Sequence, residues 1–302
     1  MHVLFEPGFF SSAPVHTALE IGTITAVVSA VVGIFTVVRS QSFAGHALTD
    51  VATTGGSGSF YLGLSPLLGF IGGGVIGAGA MDLIGVQRVR SRDLATGIVL
   101  GAATGLAALF LYLDTTTSAT TGATQQILFG SIFTVDPSTM PAVIGLSVLT
   151  ILVLGAIHRP LLLTSVSPEL AAARGISLRL VGLLFMLTMA IAVGLSSIAI
   201  GSILSTALLI GPAATALRVT RRLRQATLLA CALGVATTWL GILFAYDSDY
   251  WDPGSQGLPV SFFIVALVFL LYLGSGLPLL RRRAGRAIGA GGALGPEFEV
   301  MA

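Results

Sequence analysis

His46 and Asp50 stand four residues apart in QSFAGHALTDVATTGGSG, residues 41–58, a polar stretch in a chain otherwise poor in ionisable groups. Four residues is slightly more than one helical turn, so the imidazole and the carboxylate share a face and can converge on one point. These ligand types suit zinc or manganese. Two ligands are too few for a tight site, and weak, transient coordination is what passage of an ion requires. The competing reading is a structural hydrogen bond between His46 and Asp50, or to Thr49 or Thr53, sealing a polar helix inside a bundle. His16 and Glu20 repeat the spacing upstream and read either as an entrance site or as a solvated pair near a membrane surface. Asp82 lies close to Arg88 and Arg90, where local ion pairing accounts for it. Asp247, Asp249 and Asp252, interleaved with Tyr250 and Trp251, lack the later glutamate of a calcium loop and read as a solvated loop with interfacial aromatics.

The elements that must position these residues follow from composition. The chain has 302 residues, 54% hydrophobic and only 9% charged, against roughly 25% charged for soluble domains. It reads as an integral membrane protein. About twenty helical residues at 1.5 Å rise span a hydrocarbon core of about 30 Å. Apolar windows of that order fall at 17–38, 60–84, 94–113, 139–157, 178–196, 198–217, 225–245 and 260–280. Strand-like alternation is missing, so the expected fold is all-α: a polytopic transmembrane helical bundle of 8–9 spans. The ninth would be residues 41–58, too polar for hydropathy to find. Counted from Gln41 at a membrane edge, His46 lies roughly 7.5 Å deep and Asp50 roughly 13.5 Å, near the midplane, where an ionisable group is costly and functional by default.

Charge sets the expected orientation. Arg88 to Arg92, Arg159 to Arg179, Arg218 to Arg224 and Arg281 to Arg286 are each separated by two spans, so all face one side, the cytoplasm by the positive-inside rule. If residues 41–58 cross, Arg39 joins them, with the N-terminus outside and the C-terminus inside; a re-entrant segment is the alternative. The expected layout is an outer or interfacial segment 1–16, a transmembrane domain 17–280 and a disordered cytoplasmic tail 281–302. The first residues lack the basic region of a signal peptide. The expected location is the cell (inner or plasma) membrane.

All fifteen basic residues are arginine. Without lysine there is no Walker A loop, Schiff base or lysine general base, so any ATP must be bound by another polypeptide. Cys231 is alone, which excludes a disulfide framework. His158 sits beside Arg159 at a membrane edge and Cys231 lies in mid-span, so neither builds a hydrolase site. The motif GGGVIG satisfies GxGxxG at Gly72, Gly74 and Gly77, but no βαβ pattern surrounds it. Gly69, Gly73 and Gly77 recur every four residues, the spacing of close helix packing. The run Arg218 to Arg224 directly follows an apolar span; lipid headgroups, not nucleic acid, account for it.

Two further stretches carry mechanical signals. In GSILSTALLIGPAATA, residues 201–216, Gly211 and Pro212 form a weak point where freed carbonyls can bend the span or line an inner gate. Between two spans, Ser167 is a good N-cap, Pro168 fits the first helical position, Glu169 suits the positive helix end and Gly175 can end the helix left-handed. A short cytoplasmic helix is expected, either lying on lipid or docking a partner.

GSILSTALLIGPAATALRVTRRLR, SPELAAARGIS, QILFGSIFTVDPSTM and the arginine before FAGHALTD resemble the permease subunits of ABC importers for divalent metals, the zinc, manganese and iron uptake family. The similarity runs from about Ala18 to Leu280. It implies a homodimeric or pseudo-dimeric permease that holds no cofactor and catalyses nothing itself. Separate cytoplasmic ATPase subunits would drive it, and an extracytoplasmic metal-binding protein would feed it. It also implies that Ser167, Pro168, Glu169, Leu170, Arg174 and Gly175 form the element coupling to the ATPase. The family usually reads Asp-Ala-Leu-Ser-His where this chain has His46-Ala47-Leu48-Thr49-Asp50, so the two ligand types have exchanged places. Carried over residue by residue, the resemblance makes His46 and Asp50 the metal pathway, with Glu20 a candidate at its entrance.

Overall fold

The computed structural model describes residues 9–84, 92–118, 121–130, 132–248 and 257–276. The expected tail 281–302, Arg88, Arg90, Asp249, Tyr250, Trp251 and Asp252 lie outside them. Eleven α-helices occur among the described residues: α1 (Ala13–Val38), α2 (Ser42–Tyr61), α3 (Pro66–Ile84), α4 (Arg92–Leu113), α5 (Thr121–Phe129), α6 (Met140–Val166), α7 (Pro168–Ala173), α8 (Leu178–Ile200), α9 (Ser202–Val219), α10 (Leu223–Ser248) and α11 (Val260–Ser275). Seven are long and apolar enough to cross a membrane, against the eight to nine expected. The difference has two sources. α11 has 16 described residues, and α2, although 20 residues long, is too polar.

α8 is the core helix. Its Phe185, Met186, Met189 and Leu195 are buried, and it packs against α1, α2, α3, α6 and α9. Ser29 of α1 and Ser196 of α8 meet hydroxyl to hydroxyl at 2.6 Å inside this core. Lipid tails are as apolar as leucine, so such a bundle is held by close packing rather than by exclusion of water. The α2–α3 hairpin follows that rule. A Cβ on Gly73 would lie 2.8 Å from the Val51 carbonyl oxygen and 2.9 Å from Gly55 Cα, and one on Gly77 would lie 2.7 Å from Val51 Cγ1. The glycine stripe is therefore a helix-packing seam, as its spacing predicts, and Gly72 of the apparent GxGxxG faces open space.

The hairpin register shows how α2 is placed. Gly77 meets Val51, Gly73 meets Gly55 and Gly69 meets Ser59, so α2 runs antiparallel to α3 along its length. α2 can sit there because its hydroxyls are satisfied by its own backbone. Thr49 Oγ1 donates to the Gly45 carbonyl, Thr53 to Thr49, and Ser59 to Gly56, at 2.8–3.0 Å. This removes the cost of unpaired polar groups at depth.

α8 and α9 are separated by Gly201 alone, at φ +82. A Cβ there would collide with the backbone of Leu128 to Gly130, and Gly130 itself has φ +75. Two left-handed glycines thus let the end of α5 dock backbone to backbone on the α8–α9 corner. α6 extends to Val166 rather than stopping near Ile157, with Pro160 inside it. Its 27 residues span about 40 Å, more than a hydrocarbon core, so His158 and Arg159 sit on a helix and not in a loop.

Candidate permeation helix and coupling face

His46 is exposed and Asp50 half-buried on α2. The Thr104 hydroxyl of α4 lies 2.7 Å from Asp50 Oδ2 and 2.8 Å from the Leu100 carbonyl oxygen, so its one proton is shared between them, and the Thr54 hydroxyl lies 2.8 Å from the Ala103 carbonyl oxygen beside it. Thr49 and Thr53, the alternative partners considered for the pair, spend their hydroxyls on their own helix. Thr104 is a neighbour of Asp50 that the sequence reading did not find. Its only signal is a lone polar side chain within the apolar run GAATGLAALF.

Glu20 is exposed on α1, eighteen residues before the helix ends at Val38 and hence about 27 Å from it along the axis. His46 lies near the start of α2, which begins where α1 ends. The fold therefore places Glu20 and His46 toward opposite ends of the bundle, with Asp50 near the middle of α2. His16 Nε2 lies 2.7 Å from the Phe10 carbonyl oxygen. Among the described residues, no group of three or more His, Cys, Asp and Glu side chains comes together to hold a metal.

Two other carboxylates differ from expectation. Asp82 is buried at the end of α3, and its described partner is Arg179 of α8, whose Nε donates to Oδ2 at 3.0 Å. The bond joins residues 97 positions apart, which local sequence cannot reveal. Asp247, expected in a solvated loop, is buried in the last turn of α10. The helix runs on to Ser248, whose Oγ accepts the Leu258 N–H at 2.9 Å.

At the end of the bundle opposite α7, a cavity of about 390 Å³ opens between α2, α3, α5 and α8, with Ser65, Gln126, Thr134, Asp136 and Ser197 among its lining. Asp136 accepts the Ser138 N–H at 2.8 Å. That bond holds its carboxyl below the usual carboxylate range, so its charge persists as pH falls through that range.

The short helix α7 is built as its caps predict. Ser167, in extended conformation, accepts the Leu170 N–H at 3.4 Å, and Pro168 and Glu169 fill the first turn. Arg174 ends the helix and Gly175 follows at φ +75; the Gly175 and Ile176 N–H groups return to Ala172 and Ala171. Glu169, Leu170 and Arg174 are exposed, and Ala171 is buried. Arg39, at the end of α1, reaches this region: its Nη1 donates to Thr164 Oγ1 at 2.9 Å and Ser165 Oγ at 3.2 Å, in the last turn of α6. The ends of α1 and α6, and with them the start of α2, therefore share one end of the bundle with α7.

α9 runs unbroken through Gly211 and Pro212. A Cβ on Gly211 would strike Val268 of α11, and buried Pro212 faces Gly234 of α10. Thr215 Oγ1 donates to the Gly211 carbonyl at 2.8 Å.

Residues 13–275 match the family model described as the ABC 3 transport family. The manganese import system permease protein ScaB of Streptococcus gordonii is 32% identical over 255 residues, covering 84% of this chain and 87% of that protein. The high-affinity zinc uptake system membrane protein ZnuB of Haemophilus influenzae is 29% identical, covering 68% and 77%. Among solved structures, PsaBC from Streptococcus pneumoniae in complex with Fab superimposes with a TM-score of 0.77 at 25% identity, covering 92% of this chain and 97% of that one. With the family model spanning nearly every described helix of the bundle, the chain belongs to the ABC 3 transport family.

Proposed function

We propose that this chain is the membrane permease of an ABC importer, that it forms the path of a divalent transition-metal ion such as manganese or zinc, and that separate ATPase subunits drive it. Relatives named for manganese and zinc import support the substrate class. The observation that carries the local reading is Asp50: one carboxylate oxygen is held by a neutral hydroxyl, so its negative charge stays available to a cation. His46 lies one turn away on the same helix, and transient two-ligand contact lets the ion leave.

In this reading α2 is a ninth crossing, antiparallel to α3, with the N-terminus outside. Glu20 and the cavity beside Asp136 lie at the outer end, where an extracytoplasmic binding protein delivers the ion. α7 docks the ATPase through exposed Glu169, Leu170 and Arg174. A second permease copy completes the path alongside exposed His46, and Gly211–Pro212 is the bending point of an inner gate. The test is to co-express the chain with its ATPase, reconstitute the purified complex and measure accumulation of manganese, zinc and iron with and without ATP. ATP-dependent accumulation of at least one metal is expected; metal flux without nucleotide would indicate a stand-alone channel or ion-coupled transporter instead. Unchanged uptake in Pro212→Ala would reduce the α9 bend to a packing feature.

A further inference from the structure

We propose that Arg39 is a positioning residue that transmits movement of α7 to α2; the inference rests on the importer reading above. Its side chain contacts two helices of the bundle. Nη1 donates to Thr164 Oγ1 at 2.9 Å, to Ser165 Oγ at 3.2 Å and to the Leu161 carbonyl at 3.4 Å. The guanidinium also lies 5.5 Å from the ring centroid of Phe185, a buried residue of α8. Thr164 and Ser165 are in the last turn of α6, and Ser167, the N-cap of α7, follows two positions later. Any displacement of α7 by a docked ATPase therefore reaches Arg39 through less than one helical turn of chain.

On its other side, Arg39 caps the end of α1 and is joined to α2 through the short reversal Ser40–Gln41. Its N–H bonds to the Phe35 carbonyl at 2.9 Å, Ser40 takes φ +52, and the Gln41 N–H returns to the Thr36 carbonyl at 2.9 Å. A serine in the left-handed region is uncommon, and it makes the reversal from α1 to α2 abrupt. Gly45 N–H then bonds to the Gln41 carbonyl at 2.9 Å, so the turn passes into α2 without a slack residue. Asp50 lies eight residues beyond Ser42, about 12 Å along the helix. A shift at Arg39 thus tilts α2 and moves Asp50 relative to Thr104 on α4. The two N–H groups of Nη1 are shared among the three acceptors, while the planar guanidinium keeps its face toward the Phe185 ring.

The experiment uses the full permease with its ATPase in liposomes, reading ATP hydrolysis and manganese accumulation from the same vesicles. Arg39→Gln removes the link from one side; Thr164→Val with Ser165→Ala removes its two shortest bonds to α6 from the other and leaves Arg39 in place. In each, manganese imported per ATP hydrolysed should fall about tenfold while hydrolysis continues. Combining all three substitutions should lower it no further, because one link is being broken twice. Variants that keep the unsubstituted ratio of ions to ATP, whatever their absolute rates, overturn the proposal, as do losses that multiply in the combined variant. A lack of ATP-driven uptake in the unsubstituted complex counts against the importer reading itself.

Discussion

Asp50 and Asp82 sit on the two arms of one hairpin and are held in opposite ways. Asp82 is buried against α8 and tied to Arg179, so its charge is neutralised within the fold. Asp50 is half-buried against α4 and takes one hydroxyl from Thr104, which orients the carboxylate without cancelling its charge. A salt-bridged carboxylate fastens helices together, whereas a hydroxyl-held one keeps an open coordination position. The α3–α8 face is thus built as a clamp and the α2–α4 face as a surface that can meet a cation.

The comparison breaks most visibly at Arg179. In Arg179→Ala the buried Asp82 loses its described counter-ion; because Arg179 is itself largely exposed, the bundle should lose about 1–2 kcal/mol, seen as a lower thermal midpoint in detergent. Uptake per folded molecule should stay the same; a selective loss of uptake would make Asp82 part of the path. Thr104→Val is the converse. It should lower uptake about tenfold by releasing Asp50 and leave the thermal midpoint nearly unchanged, since Thr104 is exposed. A large drop in stability with normal transport would turn the α2–α4 contact into a second clamp. The smallest effect belongs to α7. Ser167→Ala removes one cap, weakening that helix by about 1 kcal/mol. A modest loss of ATPase binding should follow, with the α2 face untouched, and a co-purification assay reads it directly.

These regions were legible to different degrees. The signals for α7 are local: Ser167, Pro168 and Gly175 act within nine residues of chain, and each takes the predicted conformation. The glycine seam of α3 was equally readable, because a four-residue repeat already defines a helix face. α2 escaped hydropathy because its hydroxyls bond to its own carbonyls, a compensation that composition does not register. Thr104 to Asp50 and Arg39 to Thr164 span 54 and 125 residues, so no window of sequence contains both partners. Asp247 shows the reverse error. Its neighbours read as a turn, yet the α10 ladder carries it into the bundle before the chain leaves the helix.

In the proposed transport cycle, α2 carries the ion past Asp50 under ATP drive. The direct measurement is ATP-dependent accumulation of radiolabelled manganese or zinc by vesicles holding equal amounts of the unsubstituted complex and of Asp50→Ala. Accumulation should be strong in the first and abolished in the second, with membrane insertion and ATPase binding intact. Full accumulation by Asp50→Ala would remove Asp50 from the path of the ion.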